Sequence, residues 1–443
     1  MFRVSDLDLW KRAAFQWAAA HSPVCYLDSN HHKVQPGTYE CLIGVGSARR
    51  LAVYDTGSAF SSWKSFWEES PGWLFGHLSY DLKNEVEQLG SRHSDGIGFP
   101  LLHFFDPIYV VALFPDGRVE IFSRKEPPGA IFEAIQREAR IPAPTSLFKE
   151  RPYIQARIPA GEYLEKVHAL QGHILEGDIY EANFCQEFFA ENCALNPQAL
   201  FSRLNLLARA PFSAYYQVDD RYLLCASPER FLKKTGSQLV SQPIKGTIHR
   251  GRDAEEDLAL RNQLFHSEKD RAENVMIVDL VRNDLARSCR PGSVQVPELF
   301  GIYPFAQVFQ MISTVEGTLR EGVSFVDAIR QAFPMGSMTG APKVKAMELI
   351  EQYEESRRGL YSGAVGYVTP EGDFDFNVVI RSLLYNQTNK YLSFQVGGAI
   401  VYDSVPEQEY EECWWKARAL LTVLGQDERI SNPSFSRSFQ KPG

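Results

Sequence analysis

The chain reads as an α+β protein in which large antiparallel sheets are flanked by helices. Three observations predict this. Apolar, β-branched or aromatic runs bounded by turn residues recur through residues 41–122, 184–226 and 365–396. From residue 160 onward, long stretches with apolar residues at helical spacing are interposed among them. Heptads, low-complexity tracts and short-period repeats are absent from the sequence.

The elements follow in order. Cys41-Leu-Ile-Gly-Val, Trp73-Leu-Phe-Gly-His and Pro107-Ile-Tyr-Val-Val-Ala-Leu-Phe read as strands, and Pro115-Asp116-Gly117 is a hairpin turn into a strand over 119–122. A helix over 131–140 and a Pro-rich connection over 141–146 close this β-rich region, 1–150, which is expected to belong to the same sandwich as the rest. Within the second region, 151–425, residues 161–175 place Tyr163, Val167, Leu170 and Ile174 on one helical face. Strands are expected at 184–189, 215–218, 222–226, 365–368, 375–384 and 392–396. Helices are expected over most of 257–285, at 325–333 (ended by Pro334) and at 407–424. Residues 426–443 form a polar tail with two prolines.

The 443 residues carry a net charge of −9, which argues against general nucleic-acid or anionic-membrane binding but not against a small anionic substrate held in a locally positive cleft. Seven scattered cysteines contain no CxxC pair, so neither a zinc site nor a disulfide framework is suggested. The first residues are acidic where a signal peptide would be basic. No run approaches the ~18 apolar residues of a membrane span. A soluble, cytoplasmic protein with reduced thiols is the expectation.

Several constellations can carry chemistry. Asp270 and Glu273 lie three residues apart on one helix, as do Glu409 and Glu412 on the last helix, with Lys416 one turn further. Two such pairs can hold a hard divalent cation such as Mg²⁺, which takes one or two carboxylates, waters and substrate oxygens. A solvated acidic face has the same spacing, and the residues alone leave both readings open. Gly336 and Gly340 free the backbone of Phe333-Pro334-Met335-Gly336-Ser337-Met338-Thr339-Gly340-Ala341-Pro342-Lys343 to approach a ligand. Glu229, in Ser227-Pro228-Glu229-Arg230-Phe231, precedes Lys245 by 16 residues. A lysine of ordinary pKa costs about 4.6 kcal/mol to deprotonate at pH 7, so a nucleophilic lysine needs a neighbouring base or burial that lowers its pKa.

Gln242-Pro243-Ile244-Lys245-Gly246-Thr247 resembles a motif of the chorismate-utilising enzymes, specifically their aminodeoxychorismate synthase component I branch, where the residue between Ile and Gly is a lysine rather than a small residue. The resemblance runs from about residue 161 to 420. It includes Gly177-Asp178-Ile179-Tyr180-Glu181-Ala182-Asn183-Phe184-Cys185-Gln186, the Gly-Ser-Met-Thr-Gly-Ala-Pro-Lys loop, Gly359-Leu360-Tyr361-Ser362-Gly363 and Gln395-Val396-Gly397-Gly398-Ala399, and more loosely Gly76-His77-Leu78-Ser79-Tyr80. It implies a chorismate-binding fold, two large, mostly antiparallel β-sheets packed face to face with helices outside and the site between them.

It further implies Lys245 as nucleophile and Glu229 as general acid/base. Gly246, Thr247, Gln310, Ser337, Tyr361, Arg381, Gly397, Gly398, Ala399 and Lys416 would bind substrate. Glu273 and Glu412 would ligate Mg²⁺, with Asp270 and Glu409 acting through water. The implied reaction aminates chorismate at ring carbon 4 with ammonia, for 4-aminobenzoate and folate synthesis. With no glutaminase segment in the sequence, ammonia comes from a glutamine amidotransferase subunit or from solution. Two positions depart from the family pattern: Gln310 stands where His is frequent and Ala399 where Gly is usual. Anthranilate synthase component I shares most motifs but has a small residue at position 245. Isochorismate and salicylate synthases carry a lysine read here at the position of Gln186. A non-catalytic chorismate-binding subunit is the remaining alternative.

Overall fold

A computed structural model describes residues 1–32, 39–305 and 308–426. The expected tail, 426–443, therefore lies outside the described residues except for Gln426.

Two antiparallel sheets dominate. The first runs Phe2–Arg3, Arg118–Ser123, Tyr109–Leu113, Cys41–Val45, Val24–Asp28, Phe212–Val218, Arg221–Ser227, Ser382–Asn386, Tyr391–Ile400, Glu181–Ala190, Gly340–Ala341, with Gln155–Ala156 beside Glu181–Ala190. The second runs Ile244–His249, Val308–Thr318, Gln238–Gln242, Arg230–Thr235, Phe374–Val378, Ala364–Val368, Leu74–Leu78, Leu102–Asp106, Arg49–Val53, with Gln295–Pro304 beside Val308–Thr318.

Strand alternation divides the apolar residues into two cores. On Phe212–Val218, Ala214, Tyr216 and Val218 face the space between the sheets, where they meet Phe75, Phe104, Val365 and Phe376. Tyr215 of the same strand points outward to Phe15, Phe201 and the other side chains beneath the outer helices. The helices Leu7–Ala19, Ala160–Glu176, Pro197–Ala208 and Pro406–Val423 all contribute buried residues to that outer layer.

The structure corrects several sequence expectations. The apolar run 375–384 is two strands, Phe374–Val378 in the second sheet and Ser382–Asn386 in the first, and Arg381 lies between them at φ 50°, in the left-handed region. The helical stretch 257–285 is two helices, Ala254–His266 and Glu268–Ala286. They break at Ser267, whose hydroxyl accepts from the Asp270 N–H and caps the second. The segment around Lys245, to which the sequence assigned no element, is the edge strand Ile244–His249.

Candidate active site

Two neighbouring chain segments leave one sheet for the other side by side, and this crossing builds the site. Arg221–Ser227 passes into Arg230–Thr235 through Pro228 and Glu229, while Phe374–Val378 passes into Ser382–Asn386 through residues 379–381. Backbone bonds tie the crossings together: Val378 N–H donates to Glu229 O at 3.0 Å and Ala226 N–H to Arg381 O at 3.2 Å. Glu229 and Arg381 thus enter the inter-sheet space at the same level.

They open onto a cleft of about 650 Å³. All sixteen residues singled out above line it: Lys245, Gly246 and Thr247 from the edge strand, Asp270 and Glu273 from the helix Glu268–Ala286, Gln310, Ser337 and Tyr361, Gly397 to Ala399, and Glu409, Glu412 and Lys416 from the last helix, together with Glu229 and Arg381.

One end of the cleft is defined by Glu229, 6% exposed. Burial raises its pKa to about 7, opposed by a hydrogen bond from Ser337 Oγ to Glu229 Oε1 at 2.6 Å and by the charges of Lys245 and Arg381. The Ser337 loop is held by the buried pair Glu354–Arg358. Arg358 donates to both Glu354 oxygens, to Met338 O and to Asn183 O, and Asn183 Nδ2 donates to Ser337 O at 2.8 Å. Among the described residues the Arg381 guanidinium donates no hydrogen bond, and Arg381 lines the cleft. Burial lowers its pKa, with Glu229 opposing. Tyr361 is buried nearby, its hydroxyl 3.4 Å from Cys185 Sγ.

Lys245 departs from expectation. Its Nζ donates to Glu181 Oε1 at 2.9 Å. Burial alone would lower its pKa, but Glu181 and Glu273 outweigh burial and the net effect is a rise. The lysine therefore rests as an ammonium, so of the two routes to a free amine only a neighbouring base remains. Glu181 belongs to the motif over 177–186, and the resemblance assigns it no role. Its separation of 64 positions from Lys245 hides the contact from any local pattern.

Gln186 is corrected in the same strand. Glu181, Asn183 and Cys185 face inward by the period of two, whereas Gln186 shares the outward face with Phe184 and Phe188. It does not line the cleft, so a glutamine there carries no weight against an isochorismate reading.

At the opposite end, Ser382–Asn386 pairs with Tyr391–Ile400 only as far as Ser393. Beyond that point, no described strand covers this edge, and Gly397 to Ala399 face the cleft there. Glycine is required at 397, where a Cβ would sit 2.0 Å from Phe184 O. At Gly398 a Cβ would meet Glu409 Oε2 at 3.2 Å and Glu412 Oε2 at 3.8 Å, so both carboxylates look onto this strand. Lys416 Nζ donates to Gly397 O at 2.7 Å and pairs with Glu412 Oε1 at 2.8 Å. Burial raises the pKa of Glu412 but Lys416 overcomes it and the net is a lowering, which keeps that carboxylate ionised. Burial raises Glu409 and Glu273, opposed by the Ser404 hydroxyl and by Lys245 respectively. The four acids supply hard oxygen donors from two walls of the cleft, a donor set suited to Mg²⁺ with waters and a ligand oxygen between them. Among the described residues no three of their oxygens lie within 4.8 Å of one another.

Gln310, in register with Thr247 on the adjoining strand, is 1% exposed and its Oε1 has no hydrogen-bond partner among the described residues. It brings an amide, not a titrating group, to the cleft wall.

This sandwich, with its cleft at a double sheet crossing, is that of a chorismate binding enzyme, and the chain belongs to that family, whose model matches residues 8–422. Within the family it is similar to aminodeoxychorismate synthase component 1 of Klebsiella aerogenes, with 39% identity over 80% of this chain and 77% of that protein. Anthranilate synthase component 1 of Thermus thermophilus is 37% identical over 81% of this chain and 78% of that protein. Among solved structures, anthranilate synthase component I of Streptococcus pneumoniae superposes with a TM-score of 0.74 at 26% identity, covering 89% of this chain and 94% of that one.

Proposed function

We propose that this enzyme is an aminodeoxychorismate synthase component 1, replacing the carbon-4 hydroxyl of chorismate with an amino group to give 4-amino-4-deoxychorismate for 4-aminobenzoate and folate synthesis. The observation that carries it is a lysine at position 245 sharing one cleft with Glu229, a carboxyl whose pKa of about 7 lets it both give and take a proton near neutrality. An anthranilate synthase needs no amine at that place, although one such enzyme is nearly as similar in sequence.

Chorismate is a dianion. Its enolpyruvyl carboxylate goes to the free fork of Arg381 and the Tyr361 hydroxyl, and its ring carboxylate to the backbone of Gly397 to Ala399 near Lys416. Gly246 and Thr247 bound the ring, with Ser337 and Gln310 on its polar edge. Glu273 and Glu412, with Asp270 and Glu409 through water, would hold Mg²⁺, which when bound supplies positive charge beside the ring carboxylate. Lys245, as free amine, attacks ring carbon 2 while the carbon-4 C–O bond breaks, and Glu229 gives its proton to the departing hydroxyl. Ammonia then bonds to carbon 4 as the bond from Lys245 to carbon 2 breaks, and Glu229 recovers a proton from the new ammonium. The covalent intermediate divides one difficult substitution into two easier ones. On this reading the enolpyruvyl group stays on the product, so neither anthranilate nor 4-aminobenzoate should form.

Ammonia is supplied by a glutamine amidotransferase subunit. Among the described residues no helix is long and apolar enough to cross a membrane, and all seven cysteines are unpaired and buried, which supports a reducing, cytoplasmic setting. The test is product identification from chorismate, Mg²⁺ and ammonium. Incubation without ammonia should leave a substrate-derived mass on Lys245 that is absent in Lys245→Ala. Anthranilate as main product would refute the proposal.

A further inference from the structure

Glu181 is 1% exposed, at the start of Glu181–Ala190. One oxygen accepts from Lys245 Nζ at 2.9 Å, and the other, Oε2, is buried with no hydrogen-bond partner among the described residues. A structural ion pair in this protein looks different. Glu354 accepts from Arg358 on both oxygens and also from Cys185 N–H. Leaving one carboxylate oxygen buried and bare costs free energy that a second donor would recover, and such an exception asks for a role. The other acids facing Lys245 are placed less directly. Glu273 comes from the helix Glu268–Ala286 and Glu412 from the last helix, and neither reaches Nζ within 4.0 Å, nor does Glu229, which is engaged by Ser337 and lies beside Arg381.

We infer that Glu181 is the catalytic base for Lys245: it takes the ammonium proton along the existing hydrogen bond before attack and returns it when the lysine leaves, while Glu229 serves only the oxygen and nitrogen at carbon 4. This rests on the proposed function and deepens it. The protons balance. Glu181 goes from carboxylate to acid as Lys245 becomes an amine. The carbon–nitrogen bond then forms at carbon 2 as the hydroxyl leaves with the proton of Glu229. When ammonia enters at carbon 4 and the lysine departs as an amine, Glu181 hands its proton back and Glu229 is reprotonated by the new amino group. Nothing is oxidised or reduced, and no heavy atom has to move for the first transfer. The two carboxyls are separated because each faces one reacting centre: Glu181 the nucleophile's nitrogen, Glu229 the leaving group.

Glu181→Gln, close in shape, tests this with two readouts on the full chain. The first uses no chorismate: pulsed acetic anhydride, with acetylation of Lys245 read by peptide mass spectrometry from pH 6 to 10. Loss of the paired carboxylate should free the amine at lower pH, with labelling about ten-fold faster at pH 8 than in the wild type. Superimposable profiles would overturn the assignment. The second is the rate of adduct formation on Lys245 from chorismate without ammonia. It should fall about 100-fold or more at pH 7 although the amine is the more reactive, should climb steeply with pH, and should be partly restored by formate in Glu181→Ala. Adduct formation at the wild-type rate in Glu181→Gln overturns the inference. Absence of any adduct in the wild type would instead sink the covalent function itself, and the acetylation profile would still decide whether Glu181 governs the proton of Lys245.

Discussion

Removing the Ser337 hydroxyl should move the pH dependence of the reaction in a direction that the site geometry dictates. Ser337 Oγ donates to Glu229 Oε1 at 2.6 Å, a short bond to a buried carboxylate. Burial is the largest influence on Glu229 and raises it, and the hydroxyl is the first to oppose that rise, leaving the pKa at about 7. A hydrogen bond to a charged acceptor is worth about 1.5–3 kcal/mol, so its loss in Ser337→Ala, at ~1.36 kcal/mol per pH unit, should raise Glu229 to about 8–9. The bond favours the ionised form and its removal favours the acid, so the shift must be upward. The acid form is the one that donates to the leaving hydroxyl. kcat/KM for aminodeoxychorismate formation should therefore fall above pH 7 in the wild type and only above pH 8–9 in the variant. The assay is a profile from pH 5.5 to 10 with free ammonia, rather than total ammonium, held constant. Ser337→Ala also loses a contact to substrate and so lowers the absolute rate, but the position of the alkaline limb does not depend on that. Coincident limbs in the two enzymes would show that Glu229 is not the acid.

Glu412→Ala should abolish turnover while leaving thermal unfolding unchanged, and full activity of that variant in excess chelator would remove Mg²⁺ from this site. Arg381→Lys keeps the charge but loses the planar fork, and kcat/KM should drop by roughly 30- to 1000-fold, or about 2–4 kcal/mol; an unchanged value would place the enolpyruvyl carboxylate elsewhere. His77 and His103 are fully buried against the Tyr216 hydroxyl, and burial lowers them to about 4 and about 3. Their neutral forms thus stabilise the fold fully above ~6.5, and that stability is lost as pH falls toward 4, by about 2 kcal/mol each at pH 5. Urea midpoints at pH 7.5 and 5 should show this loss relative to His77→Gln/His103→Gln, and parallel behaviour of the two proteins would refute it.

The elements that were legible from sequence are those with a local signal. Tyr163, Val167 and Leu170 at helical spacing do mark the buried face of Ala160–Glu176, and Pro115-Asp116-Gly117 does turn between Tyr109–Leu113 and Arg118–Ser123. The helices Leu7–Ala19, Ala59–Glu69 and Pro197–Ala208 do not stand out by apolar spacing, although Asp6 and Asn196 cap the first and third and are the local signal for them. The run 374–386 shows the deeper limit. Strand periodicity reports that a side chain alternates, not which sheet it alternates in, so Phe-Asp-Phe-Asn-Val and Ser-Leu-Leu-Tyr-Asn join into one apparent strand. The polar Arg381 between them is the only mark of the crossing. The residues of the cleft were legible through motifs, but the partner of Lys245 was not. The Glu181–Lys245 contact exists only because the edge strand Ile244–His249 of one sheet comes against Glu181–Ala190, the strand next to the edge of the other.

That placement also explains how an acidic protein can bind a dianion. Glu181 neutralises Lys245 from behind, outside the cleft lining, so the lysine brings no net charge to the substrate at rest. Lys416 is likewise spent, on Glu412 and the Gly397 carbonyl. Among the described cleft residues this leaves the buried Arg381 without a hydrogen-bonded anion, against one of the two substrate carboxylates, while the more exposed Lys269 stands 4.0 Å from Glu273. The second carboxylate would then approach Asp270, Glu273, Glu409 and Glu412, where like charges cost several kcal/mol at close range. On the proposed function, a divalent cation held by these acids would offset that repulsion, an argument that comes from the charge pairing inside the protein rather than from acidic spacing along the helices.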